Sequence, residues 1–193
     1  MEICIFYSWQ SKYRDNCDKI ISKALDKAVK ELNSELPEQH YIVKRGGGGV
    51  IGEEDITDEI DRVIKTEADI AIVDFTHIGA IPRRNEETGE WERGLLIPNP
   101  NANNEHGKLI IALDKKQVFK VYNTAYGDLA TNLDMPFDMR QKHYPVSFYC
   151  DDEKTAEERS ILKEELAKDI KARIKECTEA FLTNQNMTKQ YFT

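Results

Sequence analysis

The sequence lacks the cysteine pattern of a domain stabilised by disulfides or by zinc. Its four cysteines are far apart, and its four histidines are equally dispersed. A disulfide framework needs regularly spaced cysteines in a short chain, and a structural zinc site needs cysteine and histidine ligands a few residues apart. We therefore expect neither, and we expect the thiols to be reduced.

The sequence also lacks long apolar runs and an excess of positive charge. No stretch approaches the roughly 20 apolar residues that cross a bilayer, and the 193 residues carry a formal net charge of −8. Negative charge disfavours binding to a phosphate backbone. We therefore expect no membrane segment and no nucleic-acid partner. An apolar strand follows the first residues directly, without a leader segment, which predicts a cytoplasmic protein.

What the sequence does contain is an alternation of apolar stretches and amphipathic helical patterns. Five stretches have the character of strands, at residues 3–7, 41–44, 70–73, 118–122 and 146–149. The third is apolar throughout, as expected of a central parallel strand that is covered on both faces. The alternation predicts an α/β, flavodoxin-like fold with a five-stranded parallel sheet of order 2-1-3-4-5 and helices on both faces.

Two further segments complete the predicted organisation. Residues 77–97 form a charged stretch that is too long for an ordinary connection, so we interpret it as an insertion or lid within a domain that spans residues 1–150. Residues 151–193 carry a long amphipathic helix and a fraying tail after Thr183. Its apolar stripe either covers the sheet or mediates pairing, and we expect the helix to pack on the same domain.

In a sheet of this order, ligands bind at the carboxyl ends of strands one and three, where the strand order reverses. Tyr7, Ser8, Trp9 and Asp74 follow these strand ends, and we expect them to converge there. Ser8 is a candidate to bind a ribose hydroxyl. Trp9 is either a core aromatic residue or a stacking platform for a planar ring, and Asp74 either caps a loop or binds ribose hydroxyls.

Glu105 is the leading candidate for chemistry. It follows a polar loop in which Pro100 discourages helix and Asn101 is a good N-cap, so it is predicted to lie in or next to the first turn of a helix. The positive end of the helix dipole would keep the carboxylate ionised and ready to face a developing cation. The simpler alternative is a favourable helix-terminal charge without chemistry. The adjacent His106 points elsewhere on a helix, and we interpret it as structural or solvent-facing.

Arg45 precedes a run of four glycines that joins the second strand to the next helix, which Asp55 is predicted to cap. Backbone N–H groups in such a loop can hold a phosphate, but the run lacks the Lys-Ser/Thr of a P-loop. A mobile loop is the alternative interpretation. Arg140, near the end of the chain's last long loop, either braces that loop or pairs with a diphosphate.

Three motifs, taken in order, resemble a bacterial branch of the TIR-like domains that is often found in antiviral defence. They are Phe6-Tyr7-Ser8-Trp9-Gln10-Ser11, Pro98-Asn99-Pro100-Asn101 with Glu105 and Gly107, and Pro136-Phe137-Asp138-Met139-Arg140. The resemblance covers residues 3–149. It implies a TIR fold and an enzyme that cleaves the bond between nicotinamide and ribose in NAD, as a hydrolase or as a cyclase or transferase that makes an ADP-ribose-derived signal.

The resemblance also implies roles for individual residues. Glu105 matches the catalytic glutamate, and NAD is then a substrate, with no separate cofactor and no metal. The loop after the second strand corresponds to one that controls self-association, and a downstream effector protein is a further expected partner. The predicted substrate-binding residues are Tyr7, Ser8, Trp9, Arg45, Asp74, Asn99, Asn101 and Arg140.

The sequence departs from the family pattern at two places. Family members commonly have E-L-G-Y-A around the glutamate, where this chain has Glu105-His106-Gly107-Lys108-Leu109. An Asp-Thr pair that often precedes the glycine loop is replaced here by Arg45 and glycines. Two rival functions therefore stay open: a non-catalytic TIR-like interaction or oligomerisation module, and a nucleoside deoxyribosyltransferase-like enzyme that uses a glutamate on a similar sheet.

Overall fold

A computed structural model describes residues 1–46, 56–127 and 145–191, the last six of these by backbone alone. The predicted cap at Asp55, most of the glycine run and the motif that contains Arg140 lie outside these residues. The helices and strands are β1 (Glu2–Ser8), α1 (Asp18–Glu35), β2 (His40–Arg45), α2 (Ile56–Thr66), β3 (Ile70–Asp74), β4 (His77–Ala80), β5 (Arg83–Arg84), β6 (Trp91–Glu92), β7 (Leu96–Pro98), α3 (Pro100–Ala112), β8 (Val118–Asn123), β9 (Val146–Phe148) and α4 (Ala156–Tyr191).

Five strands form one parallel sheet in the order β2-β1-β3-β8-β9. In sequence order these are strands 2-1-3-4-5, so the predicted α/β, flavodoxin-like topology is confirmed. The central strand β3 is buried along its whole length, as its continuous apolar sequence predicted. The strand order reverses between β1 and β3, and this places a crevice at their carboxyl ends.

The two faces of the sheet carry separate cores. Ile3, Ile5 and Tyr7 of β1 pack with α1 and α4, whereas Phe6 packs with Ala71, Val73 and apolar residues of α2 and α3. This division follows from the period-two alternation of side chains along a strand. Neighbouring residues at the end of β1 therefore serve different layers of the molecule.

The long helix α4 covers the α1 side of the sheet. Its stripe is buried at Leu166, Ile170, Ile174, Cys177 and Phe181, with Leu162 packed against the same core. Lys171 adds ion pairs to two glutamates of α1, at 2.6 Å from Glu31 and 2.8 Å from Glu35. Of the two alternatives for the stripe, covering the sheet is thus the one observed. The helix α4 extends to Tyr191, so the stretch after Thr183 that was predicted to be a tail continues the helix.

The segment predicted as an insertion or lid is an antiparallel hairpin. Its base is the β4–β7 pair and its outer part is the β5–β6 pair, with Trp91 exposed near the tip. The base is tied to both sides of the sheet's carboxyl edge: Lys12 donates to the carbonyl of Ile78 at 2.8 Å, and Arg93 donates to that of Tyr126 at 3.1 Å. The hairpin therefore borders the crevice, and its role as a lid stays a prediction.

Among the described helices, none combines the length with the apolar character needed to span a bilayer.

Candidate functional site

The helix that carries Glu105 begins earlier than its sequence predicts. Asn99, not Asn101, is the N-cap, and its Oδ1 accepts from the backbone N–H groups of Asn101 at 2.9 Å and Ala102 at 3.4 Å. Pro100 occupies the first helical position, where its missing N–H costs nothing and its fixed φ fits the helix. Glu105 consequently lies in the second turn of α3, next to the first turn, as its sequence position predicted.

The protonation of Glu105 is governed by burial more than by the helix dipole, whose effect fades within the first turn. The side chain is half-buried, and this loss of solvent raises the pKa of its carboxyl group above the ordinary value for glutamate. The nearby Ser8 hydroxyl and then the Lys108 ammonium lower the pKa, and Asp61 raises it. The expectation that the dipole keeps Glu105 ionised is therefore replaced by a balance between burial and these neighbours.

The unusual neighbours of Glu105 hold α3 in place. Lys108 forms an ion pair with Asp61 of α2, with 2.5 Å between Nζ and Oδ1. His106 is buried, and its ring meets that of Phe75 edge to face, with 5.4 Å between the centroids. His106 is thus structural, one of the two interpretations of its sequence position. The departures from E-L-G-Y-A have packing roles between α3, α2 and the segment after β3.

Ser8 and Glu105 come together on the α2 and α3 side of the sheet. Ser8 is buried at the end of β1, and its Oγ makes no hydrogen bond of normal geometry within the described residues. A buried hydroxyl without a partner is uncommon, because its desolvation is not compensated. In ligand-free enzymes, catalytic hydrogen bonds are often long or poorly aligned. Ser8 therefore offers a buried polar atom to a ligand beside the Glu105 carboxyl group.

Tyr7 and Asp74 lie on the opposite face of the sheet, with α1. Within the part of the chain that the structure describes, the Tyr7 hydroxyl and Asp74 Oδ2 are buried without hydrogen-bond partners. Asp74 Oδ1 accepts from the backbone N–H of Thr76 at 3.1 Å. Burial raises the pKa of Asp74 to about 6, and the polar groups of the nearby Thr76 and Gln10 oppose this rise. Asp74 thus braces its loop, and the expected convergence of Tyr7 and Asp74 with Ser8 fails because adjacent strand residues alternate between faces.

Gln10 is a polar residue of the same edge that sequence reasoning missed. Its Nε2 donates to the carbonyl of Thr76 at 3.0 Å, which ties the end of β1 to the end of β3. Its Oε1 is buried and has no partner among residues 1–46, 56–127 and 145–185. The available signal was its position two residues after Ser8, in the first of the three motifs.

An ion pair holds the side chain of Arg45 against the start of α1. Its guanidinium group pairs with the buried Asp18 and lies over the rings of Tyr7 and Trp9, at 4.9 and 5.9 Å from their centroids. Trp9 is 36% exposed and its Nε1 donates to the carbonyl of Gly46 at 3.5 Å. The core interpretation of Trp9 is therefore wrong, and an exposed ring at the strand end is left as a possible stacking surface.

The two predicted asparagines differ in their availability. Asn99 is half-buried and uses its carbonyl oxygen as the helix cap. Asn101 is exposed one helical turn before Glu105, and residues four apart lie on the same helix face. Asn101 can therefore reach a ligand of Glu105. The substrate-binding prediction for Arg140 concerns a residue outside the described ones.

Among the described residues, no group of three or more histidine, cysteine, aspartate or glutamate side chains is arranged to hold a metal ion.

Comparisons with known proteins leave the family open. No family model matches the chain, and no curated protein sequence matches it. Among solved structures, the chain is similar to a diflavin flavoprotein A3 from Nostoc sp., with a TM-score of 0.39 and 12% sequence identity over 93% of this chain and 97% of that one. A likeness with so low a TM-score supports no conclusion about this protein.

Proposed function

We propose that this protein is a cytoplasmic, NAD-consuming, TIR-like enzyme that cleaves the bond between nicotinamide and ribose and produces an ADP-ribose-derived signal in antiviral defence. The observation that carries the proposal is the half-buried Glu105 carboxyl group, which lies close to the buried Ser8 hydroxyl at the end of β1. NAD is proposed as the substrate because the three ordered sequence motifs resemble those of TIR-like enzymes that cleave NAD.

The chemistry requires a negative charge at one place. When the glycosidic bond of NAD breaks, its electron pair goes to the nicotinamide nitrogen, which becomes neutral, and positive charge develops on the ribose. An ionised Glu105 stabilises or captures this cation. Water then completes a hydrolysis with release of a proton, or a nitrogen of the adenine base attacks and closes a cyclic product. Nicotinamide leaves without protonation, so a second catalytic carboxyl group is unnecessary.

The surrounding side chains are suited to hold the substrate. The Ser8 hydroxyl can donate to a ribose oxygen, and Asn101 lies on the Glu105 face of α3. The exposed ring of Trp9 can stack on the nicotinamide or adenine ring. Removal of water by the bound substrate strengthens the interaction between the carboxylate and the cation, because the local dielectric constant falls.

The test is nicotinamide release from NAD by the purified protein, measured over a rising series of protein concentrations because self-association is part of the proposal. We expect release above the spontaneous rate, with a linear or cyclic ADP-ribose product. Deoxynucleosides are tested in parallel. Release of free base from them without nicotinamide release from NAD would replace the proposal with a deoxyribosyltransferase-like activity, and no release from either would leave an interaction module.

The fall of enzymatic activity at low pH, the acid limb of the pH–rate profile, should depend on the ion pair between Lys108 and Asp61 near Glu105. Because the reaction needs ionised Glu105, the rate falls as pH drops through the pKa of that group. Lys108→Met removes a charge that lowers this pKa and should move the limb to higher pH. Asp61→Asn removes a charge that raises the pKa and should move the limb to lower pH.

The two variants control for each other, since both break the same ion pair between α2 and α3. The measurement is kcat/KM for nicotinamide release across the acid range. Movement of the limb in the same direction in both variants would show that helix packing, and not the charge near Glu105, controls the profile.

A further inference from the structure

A second cleft lies between α1 and the edge strand β2, on the sheet face opposite Glu105. Its volume is about 240 Å³, below the ~300 Å³ at which pockets for drug-sized ligands begin, so it suits a small molecule. Its polar lining comes from the end of β1, the segment before α1, the first turns of α1 and the end of β2, at Tyr7, Arg14, Asp18, Lys19, Ser22, Lys23, Asp26 and Arg45.

The lining is positive within an acidic protein. It contains four cations, Arg14, Lys19, Lys23 and Arg45, and two carboxylates, Asp18 and Asp26, whereas the whole chain carries a net charge of −8. Within the described residues, Arg14 makes neither an ion pair nor a side-chain hydrogen bond. The ion pairs of Lys19 and Lys23 are exposed, and such pairs contribute little energy. These cations are therefore available to an incoming anion.

Arg45 lines this cleft from the end of β2 and is held there by Asp18. Its pair with Asp18 involves Nη2 and one carboxylate oxygen, and a guanidinium group has five N–H donors. Contact with the Tyr7 ring orients the guanidinium plane. Donors that Asp18 does not use can hold a second anion in a geometry that suits phosphate oxygens.

The Tyr7 hydroxyl is a second, independent polar group of this cleft. Its side chain is completely buried, and its hydroxyl has no hydrogen-bond partner among the described residues. Burial raises the pKa of this hydroxyl well above its ordinary value, the Asp74 and Asp18 carboxylates raise it further, and the Arg45 guanidinium group lowers it. A buried phenol that lines a cationic cleft can donate to an anion there.

We propose that this cleft is a binding site for the phosphate groups of a small ligand, held by Arg14, Arg45 and the Tyr7 hydroxyl. The site is separate from the crevice of Glu105 and does not depend on NAD cleavage. Inorganic phosphate and pyrophosphate are the probes, because they present the shared chemistry without a base or a sugar.

The test is titration calorimetry of the full chain with each probe at constant ionic strength, with sulfate as the anion control. We expect saturable binding of pyrophosphate at one site. Tyr7→Phe and Arg14→Gln should each weaken it by about 10-fold, as expected for the loss of one hydrogen bond to a charged group. Lys30→Gln removes the same charge from an exposed position of α1 outside the cleft and should leave the affinity unchanged.

Thermal melting shows whether the variants are folded. Tyr7→Phe should melt no lower than the wild type, because it removes a hydroxyl that has no partner. The proposal is overturned if pyrophosphate does not bind saturably, if sulfate binds equally well, if either cleft variant binds as tightly as the wild type, or if Lys30→Gln weakens binding as much as they do.

Discussion

Replacing Glu105 by glutamine is expected to reduce nicotinamide release from NAD by at least about 100-fold, the scale found when one preorganised electrostatic group is removed from an active site. The substitution keeps the shape of the side chain and removes its charge. A neutral amide cannot stabilise the ribosyl cation, and it cannot capture it as a nucleophile. Since the charge acts mainly in the transition state, kcat should fall much more than KM changes.

The fold should tolerate this change. Glu105 is half-buried and its carboxyl pKa is raised by burial, so a neutral group at this position costs little and the melting temperature should not fall. Glu86→Gln, at an exposed position of the hairpin tip, is the matched control and should release nicotinamide at the wild-type rate. A Glu105→Gln protein that keeps more than about half of the wild-type rate would exclude Glu105 as the catalytic group.

Replacing Asn123 by alanine is expected to lower the free energy of unfolding by about 3–5 kcal/mol, the upper part of the range for single substitutions. Asn123 is completely buried at the end of β8. Its Nδ2 donates to the carbonyls of Asn16 at 3.1 Å and Cys150 at 2.7 Å, and its Oδ1 accepts from the N–H groups of Ala125 at 3.1 Å and Cys150 at 3.0 Å. One side chain thus joins the loop before α1, the end of β8 and the segment after β9.

Alanine would leave these four backbone groups without their partner, three of them in buried hydrogen bonds, and an unsatisfied buried group costs about 1–3 kcal/mol. The measurement is chemical denaturation of the purified proteins with an unchanged slope. Asn103→Ala, at an exposed position of α3, is the control and should change the free energy of unfolding by less than about 0.5 kcal/mol. A loss below about 1 kcal/mol in Asn123→Ala would show that water replaces the missing amide.

The strands and helices could be predicted from the sequence because each is indicated by a local pattern of apolar residues. The continuous apolar run at residues 70–73 identified β3, and the long apolar stripe identified α4 as an amphipathic helix, although only the structure decided that it covers the sheet. The ends of elements were less accessible. The start of α3 was misplaced because both Asn99 and Asn101 are competent caps, and the choice between them rests on how Pro100 enters the helix.

The sequence predicted the composition of the candidate site only in outline. Topology placed Ser8 and Glu105 at the same edge, and the structure brings them together. The sequence also grouped Tyr7, Arg45 and Asp74 with them, although the alternation of β1 side chains already assigns Tyr7 and Ser8 to opposite faces. Asp18 and Gln10 escaped notice because an acid in a first helical turn and an amide after a strand are usually local caps.

The sequence by itself determined the order of strands and helices, the parallel sheet and the switch point, since apolar periodicity and chain connectivity dictate them. Only the tertiary structure decided the state of the polar groups at that edge. Burial raises the pKa of Glu105, Arg45 is held by Asp18, and the Tyr7 hydroxyl has no hydrogen-bond partner among the described residues. Solvation and hydrogen bonding depend on which distant segments pack around a side chain, and no local pattern of residues records that packing.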